Sequence, residues 1–166
     1  SIIYSKRLCK RKSSTKLINH EDYILETIMH KIGSVPFKVY ENKVAVLFVT
    51  SQARGRWILP KGTLNDGESH EDACYRETFN EAGAKGFMMK NYPITKPITK
   101  LTSNGIISNS VTFYPLVVEN QDNEWPDKTK RQRHWALLKD VSKVASREDY
   151  LLVLEDFKRL KPWKLI

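Results

Sequence analysis

The sequence has little cysteine and no long apolar run, and its basic residues outnumber its acidic ones. Only Cys9 and Cys74 occur in 166 residues, without metal-type spacing, which argues against a disulfide scaffold or a cysteine-ligated zinc site. The longest apolar runs, 44–49 and 111–118, fall far short of the roughly 20 residues of a membrane span. No apolar segment follows the basic N-terminus, so a secretory signal is not expected. These absences predict a cytoplasmic protein without membrane segments.

Basic residues are concentrated at the N-terminus. The formal charge is +9, from 28 basic and 19 acidic residues, and six of the basic residues lie in the first 16 positions without an acidic neighbour. The other 22 exceed the acidic residues by three, so the rest of the chain is only mildly basic. We expect residues 1–20 to form a basic, flexible arm and residues 21–166 a single domain. Contact of the arm with nucleic acid is the less favoured alternative to a solvated arm.

Local sequence patterns predict several β-strands. Residues 44–49 form a β-branched apolar run typical of a buried strand, and residues 57–59 form a short strand that ends at Pro60. An Asn-Gly pair at residues 104–105, between apolar segments, predicts a β-hairpin. Residues 21–32 fit both a helical face and strand alternation, and a strand from about residue 27 is preferred.

Two helices are predicted from capping residues and apolar spacing. Ser69 with Asp72 opens the first helix, which runs to Glu81 and ends at Gly83, where a left-handed residue is expected. Ser146 opens the second helix with the same spacing. The apolar residues that follow it recur at helical spacing: Tyr150, Val153, Leu154, Phe157 and Leu160. Strands mixed with two distant helices predict an α/β/α sandwich, with a mixed β-sheet between the helices.

Two carboxylates share one face of the first predicted helix. Glu77 and Glu81 are four residues apart, without a lysine or arginine between them on that face, so they repel unless a cation lies between them. Carboxylate oxygens suit Mg²⁺ or Mn²⁺, and Mg²⁺ commonly shares its ligands with substrate phosphates. We expect Arg76 to hold the carboxylate of Glu68 or Glu77 in a two-pronged contact. The same residues also fit a solvated, charged helix face.

The spacing across residues 62–84 favours the metal site. The stretch resembles the Nudix box, G-x5-E-x7-R-E-U-x-E-E-x-G-U, in which U is a bulky aliphatic residue. Thr78 and Ala84 are mild variants at the aliphatic positions, and Asn80 replaces a glutamate. The flanking segments 56–62, 82–86 and 131–135, with the preceding Trp125-Pro126, look like the diphosphoinositol polyphosphate phosphohydrolase branch of the Nudix family. The residues that match the fixed positions of the box are Gly62, Glu68, Arg76, Glu77, Glu81 and Gly83.

The resemblance implies a Nudix α/β/α sandwich and a metal-dependent hydrolase. Its expected reaction is the cleavage of a phosphoanhydride bond in a polyanionic small molecule, such as a diphosphoinositol polyphosphate or a dinucleoside polyphosphate. Because Asn80 contributes no negative charge, the alternative is a catalytically weakened Nudix-fold module that binds a nucleotide or an RNA end. The expected partner is a phosphorylated small molecule rather than a membrane, and the sequence leaves the oligomeric state open.

The resemblance also implies residue roles. Glu68, Arg76, Glu77 and Glu81 are the expected catalytic residues. The expected ligands of Mg²⁺ or Mn²⁺ are Glu77, Glu81 and the Gly62 carbonyl, with Asn80 as a weak ligand. Residues 131 and 133 share a face if their segment is extended. The residues expected to bind substrate phosphates are Ser51, Arg54, Arg56, Lys61, Arg131 and Arg133.

Overall fold

The computed structural model describes residues 30–166, and its mixed sheet is organised around β1 (Lys31–Tyr40). β1 pairs antiparallel with β2 (Lys43–Thr50) and parallel with β7 (Gly105–Gln121). The predicted arm and the part of the ambiguous segment before residue 30 lie outside the described residues. The remaining strands are β3 (Trp57–Ile58), β4 (Lys61–Thr63), β5 (Ala84–Met88), β6 (Ile94–Thr102) and β8 (Arg133–Leu137).

All eight strands of residues 30–166 belong to one sheet, in which β3, β2, β1, β7 and β5 follow one another in that order. β8 pairs with β2, β6 pairs with β7, and β4 pairs with the first residues of β1, where Gly62 lies opposite Ile32. The predicted hairpin is confirmed, because Thr102 lies opposite Gly105 at its turn. Since Lys31, the first residue of β1, pairs with Val111, residues 105–110 of β7 extend past β1 as a ribbon with β6.

The first predicted helix is confirmed as α1 (His70–Ala82). The Ser69 hydroxyl accepts a hydrogen bond from the Asp72 N–H at 3.0 Å, which caps one of the free amides of the first turn. Gly83 ends the helix with φ of 62°, a conformation that glycine adopts without strain. None of the helices in residues 30–166 is long and apolar enough to cross a membrane.

The predicted start of the second helix is wrong by one residue. α2 (Glu148–Leu160) begins after Arg147, which has no side-chain capping bond, and Ser146 lies one position earlier. Arg147 is extended, with ψ of 126°, and its Nη2 donates to the Thr99 carbonyl of β6 at 2.6 Å. A contact across the fold therefore sets the helix start. Leu160, predicted on the apolar face, is 40% exposed because it is the last residue of the helix.

The two helices cover opposite faces of the sheet. The Phe37 ring of β1 packs edge-on against Phe157 of α2, with ring centroids 5.2 Å apart. Ile32 of the same strand packs instead in a cluster with Cys74 of α1. Residues an odd number apart on a strand point to opposite faces, so the two helices lie on either side of β1. The predicted α/β/α sandwich is confirmed, with 3-10 helices at Leu138–Lys143 and Pro162–Leu165.

Candidate active site

Arg76 joins the loop before α1 to the helix and to β4. Its Nε and Nη2 donate to the two carboxylate oxygens of Glu68, each at 2.8 Å. Nη2 also donates to the Thr63 carbonyl at 3.0 Å, and Nη1 donates to Oε1 of Glu77 at 3.2 Å. One guanidinium thus fixes both glutamates, and the two-pronged contact with Glu68 sets the orientation of that carboxylate.

Glu68 is held from a second direction. Its Oε1 accepts a hydrogen bond from the Asn65 N–H at 3.0 Å. The hydrogen bonds from Arg76 and Asn65 lower the pKa of Glu68 to about 2, because they stabilise its charged form. Glu68 is therefore ionised at neutral pH and holds the loop of residues 64–69 against α1.

Glu77 packs directly on the backbone of β4. A Cβ added at Gly62 would lie 1.3 Å from Oε2 of Glu77, so only glycine leaves room for this carboxylate. Burial raises the pKa of Glu77, while Arg76 and a hydrogen bond from Asn80 oppose the rise. Asn80 therefore supports the charge on Glu77 as a hydrogen-bond partner instead of repelling it as a second carboxylate.

Glu81 is the buried carboxylate of the pair. Its residue is 7% exposed, Oε1 accepts from the Lys61 N–H at 3.4 Å, and Oε2 accepts from Nη2 of Arg131 at 3.1 Å. Burial raises the pKa of Glu81 to about 7 against the opposing charge of Arg131, and the charge of Glu77 adds to the rise. Arg131 also donates to Asp127 at 2.8 Å and to the Thr50 carbonyl at 2.9 Å, so it is held by three acceptors.

The donors at this site fit a hard divalent cation bound through two carboxylates. In the part of the chain that the structure describes, no three His, Cys, Asp or Glu side chains form a metal-holding cluster. The donors expected from the sequence are all oxygens, from Glu77, Glu81, Asn80 and Gly62, and the structure places both Gly62 and Asn80 against Glu77. Because the charge of Glu77 raises the pKa of Glu81, a cation shared between them would relieve this repulsion.

A cationic cavity of about 860 Å³ includes Glu81 in its wall. Positive charge dominates the lining, and Glu81 is the one acidic residue among the described residues that line it. The cavity brings together five of the six residues predicted to bind phosphate: Ser51, Arg54, Arg56, Lys61 and Arg131. The cationic residues that the sequence analysis did not single out are Lys31, Lys100 and Arg147.

The positive charges around the cavity contribute to a lowered pKa of Lys61. Burial, followed by the charge of Lys31, lowers the pKa of Lys61 to about 8, and the charges of Arg147 and Lys100 act in the same direction. Glu81 opposes this shift. A bound anion would relieve the repulsion among these cations, so the cavity favours a ligand with several negative charges.

Arg133 is placed differently from the other predicted phosphate-binding residues. Its Nη1 donates to the Ala82 carbonyl at 2.9 Å, and its guanidinium lies 3.9 Å from the ring centroid of Trp125. This arrangement satisfies a carbonyl at the C-terminal end of α1, where intrahelical donors are missing. Arg133 therefore supports the end of the helix that carries Glu81 and does not line the cavity.

Comparison with known proteins identifies the family. The NUDIX domain model matches residues 30–157. The chain belongs to the NUDIX domain family. Nudix hydrolases generally use divalent metal ions, in agreement with the oxygen donors of α1. The resemblance seen in the sequence is thus confirmed.

Two curated relatives and one solved structure show the extent of the likeness. Nudix hydrolase 12, mitochondrial, of Arabidopsis thaliana is 28% identical over 134 residues, which cover 74% of this chain and 66% of that protein. This chain therefore spans just under two thirds of that relative. Diphosphoinositol polyphosphate phosphohydrolase 3-beta of Bos taurus is 27% identical over 124 residues, covering 74% of this chain and 72% of that protein. The structure of a C. elegans Ap4A hydrolase binary complex superimposes on this chain with a TM-score of 0.65 at 22% identity. The superposition covers 80% of this chain and 97% of that chain, which shows a shared fold.

Proposed function

We propose that this protein is a Nudix pyrophosphohydrolase that cleaves a phosphoanhydride bond in a polyanionic small molecule, with Mg²⁺ or Mn²⁺ as cofactor. The observation that carries the proposal is the cavity, in which seven Lys and Arg side chains surround one carboxylate of the Glu77–Glu81 pair. The cations would bind the phosphates of the ligand, and the carboxylate pair would hold the metal beside them. The names of the Arabidopsis and bovine relatives support a hydrolase.

The chain's own residues divide into three roles in this proposal. Glu77 and Glu81 would hold the divalent cation, with the neutral oxygens of Asn80 and Gly62 as further ligands and water in the remaining positions. A bound divalent cation supplies an acidified water and neutralises phosphate charge. Arg76 would position Glu77 and Glu68 through the hydrogen bonds described above. The predicted phosphate-binding residues would orient the ligand from the cavity wall: Ser51, Arg54, Arg56, Lys61 and Arg131.

We consider two substrate classes for the cavity, and they differ in apolar surface. Leu101 and Ile106 lie opposite each other in the β6–β7 hairpin, line the cavity, and are 59% and 73% exposed. Exposed aliphatic side chains beside cations suit a base joined to a phosphate chain, which favours a dinucleoside polyphosphate. A diphosphoinositol polyphosphate lacks an apolar group, but this class is favoured by the name of the bovine relative.

A second candidate function rests on Asn80. Because it replaces a carboxylate and hydrogen-bonds to Glu77, the site has fewer negative ligands than the Nudix box provides. In this alternative the protein is a weakened Nudix-fold module that binds a nucleotide or an RNA end, with the basic residues near the N-terminus contacting the nucleic acid. We also propose a cytoplasmic location for either function, because a sequence with only two cysteines and no metal-type spacing suits a reducing compartment.

The experiment that tests the proposal is a turnover assay on a ligand panel. Diphosphoinositol polyphosphates, dinucleoside polyphosphates and nucleoside diphosphate sugars are each incubated with Mg²⁺, with Mn²⁺ and with a chelator, and phosphate-bearing products are measured. We expect metal-dependent turnover of one class that stops with the chelator, and Glu77→Gln should depress both turnover and metal affinity. Tight binding without turnover under every metal condition would favour the module that only binds.

A further inference from the structure

A second cavity, of about 470 Å³, lies at the other end of α2 from the cationic cavity. Its lining includes Lys43, Val44, Leu138, Lys139, Lys158 and Trp163. The cationic cavity is lined by residues at the start of α2, among them Arg147, and no described residue lines both cavities. Because 11 positions separate Arg147 from Lys158, or about 16 Å along a helix, the two cavities are separate spaces.

The floor of the second cavity is apolar and includes an aromatic side chain. Leu138 is 8% exposed, and Val44 and Trp163 are partly buried against the core. α2 ends at Lys161, whose φ of 49° is left-handed, and the chain turns back so that the Trp163 ring packs on Phe157 of the helix. The two ring centroids are 5.3 Å apart. Trp163 is thus a fixed apolar surface, which suits contact with a flat ring of a ligand.

Three lysines line this apolar floor, and two of them are brought together by strand pairing. Lys43 is the first residue of β2, and Lys139 lies in the 3-10 helix that follows β8. Ala45 of β2 pairs with Leu137 of β8, so each lysine lies two residues beyond the same pair. The two lysines are therefore at the same end of adjacent strands.

The positive charge of these lysines is only weakly compensated. Lys43 and Lys139 form no ion pair with any of residues 30–166. Lys158 is 3.8 Å from Glu155, but that glutamate is 64% exposed, and such a surface contact contributes little. No acidic residue of the described chain lines the cavity. Like charges at neighbouring strand positions repel, so a bound anion would relieve this repulsion.

We propose that the second cavity binds a small anion with an apolar ring, such as an aromatic carboxylate. The ring would contact Trp163 and Leu138, and the acidic group would lie among the lysine ammonium groups. Small-molecule pockets typically measure roughly 300–1,000 Å³ and combine an apolar lining with a few polar groups, as this cavity does. A second copy of the chain fits less well, because its net charge of +9 would meet the lysines. This second site is independent of the hydrolytic function proposed above.

Binding of naphthalene-2-carboxylate to the full chain tests this site. Calorimetry gives the affinity, and NMR follows the indole N–H signal of Trp163, which is identified by its absence in Trp163→Phe. Naphthalene-2-carboxamide has the ring without the charge, and acetate has the charge without the ring. We expect the carboxylate to bind and to shift the Trp163 signal. Both partial probes should bind at least roughly tenfold more weakly.

Two double variants separate this cavity from the cationic one. Lys43→Gln with Lys139→Gln should weaken carboxylate binding by roughly tenfold, as for one hydrogen bond to a charged group. Its stability in urea unfolding should be equal to that of the wild type or higher, because the repulsion is removed. The control, Arg54→Gln with Arg56→Gln, removes the same charge from the cationic cavity and should bind the carboxylate like the wild type.

Several results would overturn the second site. One is equal loss of carboxylate binding in the two double variants, and another is equal affinity for the carboxylate and the carboxamide. Absence of carboxylate binding at millimolar concentration would do the same. A Trp163 signal that shifts when the protein is diluted without probe would show that a second copy, rather than a small anion, occupies the cavity.

Discussion

The carboxylate of Glu77 occupies the space that a side chain on Gly62 would need. The Oε2 atom lies 1.3 Å from the position of a Cβ at residue 62, and the carboxyl carbon lies 2.2 Å from it. Gly62 is bound in β4 opposite Ile32, so the strand cannot move away without breaking its pairing with β1. The glycine and the glutamate of the box thus form one packing unit, in which the strand positions the carboxylate.

Replacing Gly62 with alanine should displace Glu77 and disable the site. We expect Gly62→Ala to lose about 1–3 kcal/mol of unfolding free energy through overpacking, and at least tenfold in metal-dependent turnover. Gly105→Ala is the control, because φ of 116° strains an alanine there while nothing lies within 4 Å of its Cβ. The control should lose stability and keep turnover. Full turnover in Gly62→Ala would contradict the placement of Glu77 at the reacting centre.

Restoring a carboxylate at residue 80 should strengthen metal binding. Asn80→Glu removes the hydrogen bond to Glu77 and adds a negative charge beside two carboxylates, so we expect a lower melting temperature in chelator. With Mn²⁺ the variant should be stabilised more than the wild type, with metal affinity raised by roughly tenfold, or about 1.4 kcal/mol. Asn80→Gln has the same length without the charge and should show no gain. An equal gain in metal affinity in both variants would show that the added charge is not the cause of the gain.

Replacing Arg131 should lower the free energy of unfolding strongly. Its side chain is 11% exposed and pairs with Glu81 and Asp127, so Arg131→Ala leaves two carboxylates without their partner. We expect a loss of about 3–5 kcal/mol in urea unfolding. Lys130→Ala changes the exposed neighbour and should alter stability by no more than about 0.5 kcal/mol. Similar losses in the two variants would show that the buried ion pairs do not stabilise this region.

The contact between Glu68 and Arg76 should make stability depend on acid pH. The folded pKa of Glu68 is about 2 and its ordinary value is 4.5, so its contribution is complete above pH 4.5 and is lost as pH falls towards about 2. Urea unfolding across this window should therefore show a stability advantage of the wild type over Glu68→Gln that shrinks with falling pH. Glu71→Gln is the control, since Glu71 is half-exposed and lies 3.8 Å from Lys90. A constant difference between wild type and Glu68→Gln would contradict the shift.

Local sequence signals were sufficient to predict helix α1, which carries most of the Nudix box, and the β6–β7 hairpin. The Ser69 cap and the left-handed Gly83 delimit α1 within a short stretch, and the Asn-Gly turn pairs β6 with β7 directly. The chemistry of arginine predicted that Arg76 holds Glu68 or Glu77, and the structure shows contacts with both. Helix caps and tight turns depend on residues that are close in the sequence, so they can be predicted without knowing the tertiary structure.

The sequence did not predict the features that depend on distant segments. Arg147 moves the start of α2 by one residue because it contacts Thr99, which lies 48 positions away. Arg133 was expected to bind phosphate together with Arg131, two residues before it, yet Arg133 stacks on Trp125 and does not line the cavity. Neither contact has a local sequence signal, because each forms between segments that come together only when the chain folds.

By itself, the sequence determined the β6–β7 hairpin, helix α1, the carboxylate pair on that helix and the family, since each depends on spacing within one segment. Only the tertiary structure decided the cationic cavity. Lys31, Lys100 and Arg147 come from β1, β6 and the residue before α2, and they face one space because β7 joins β1 to the hairpin on which α2 packs.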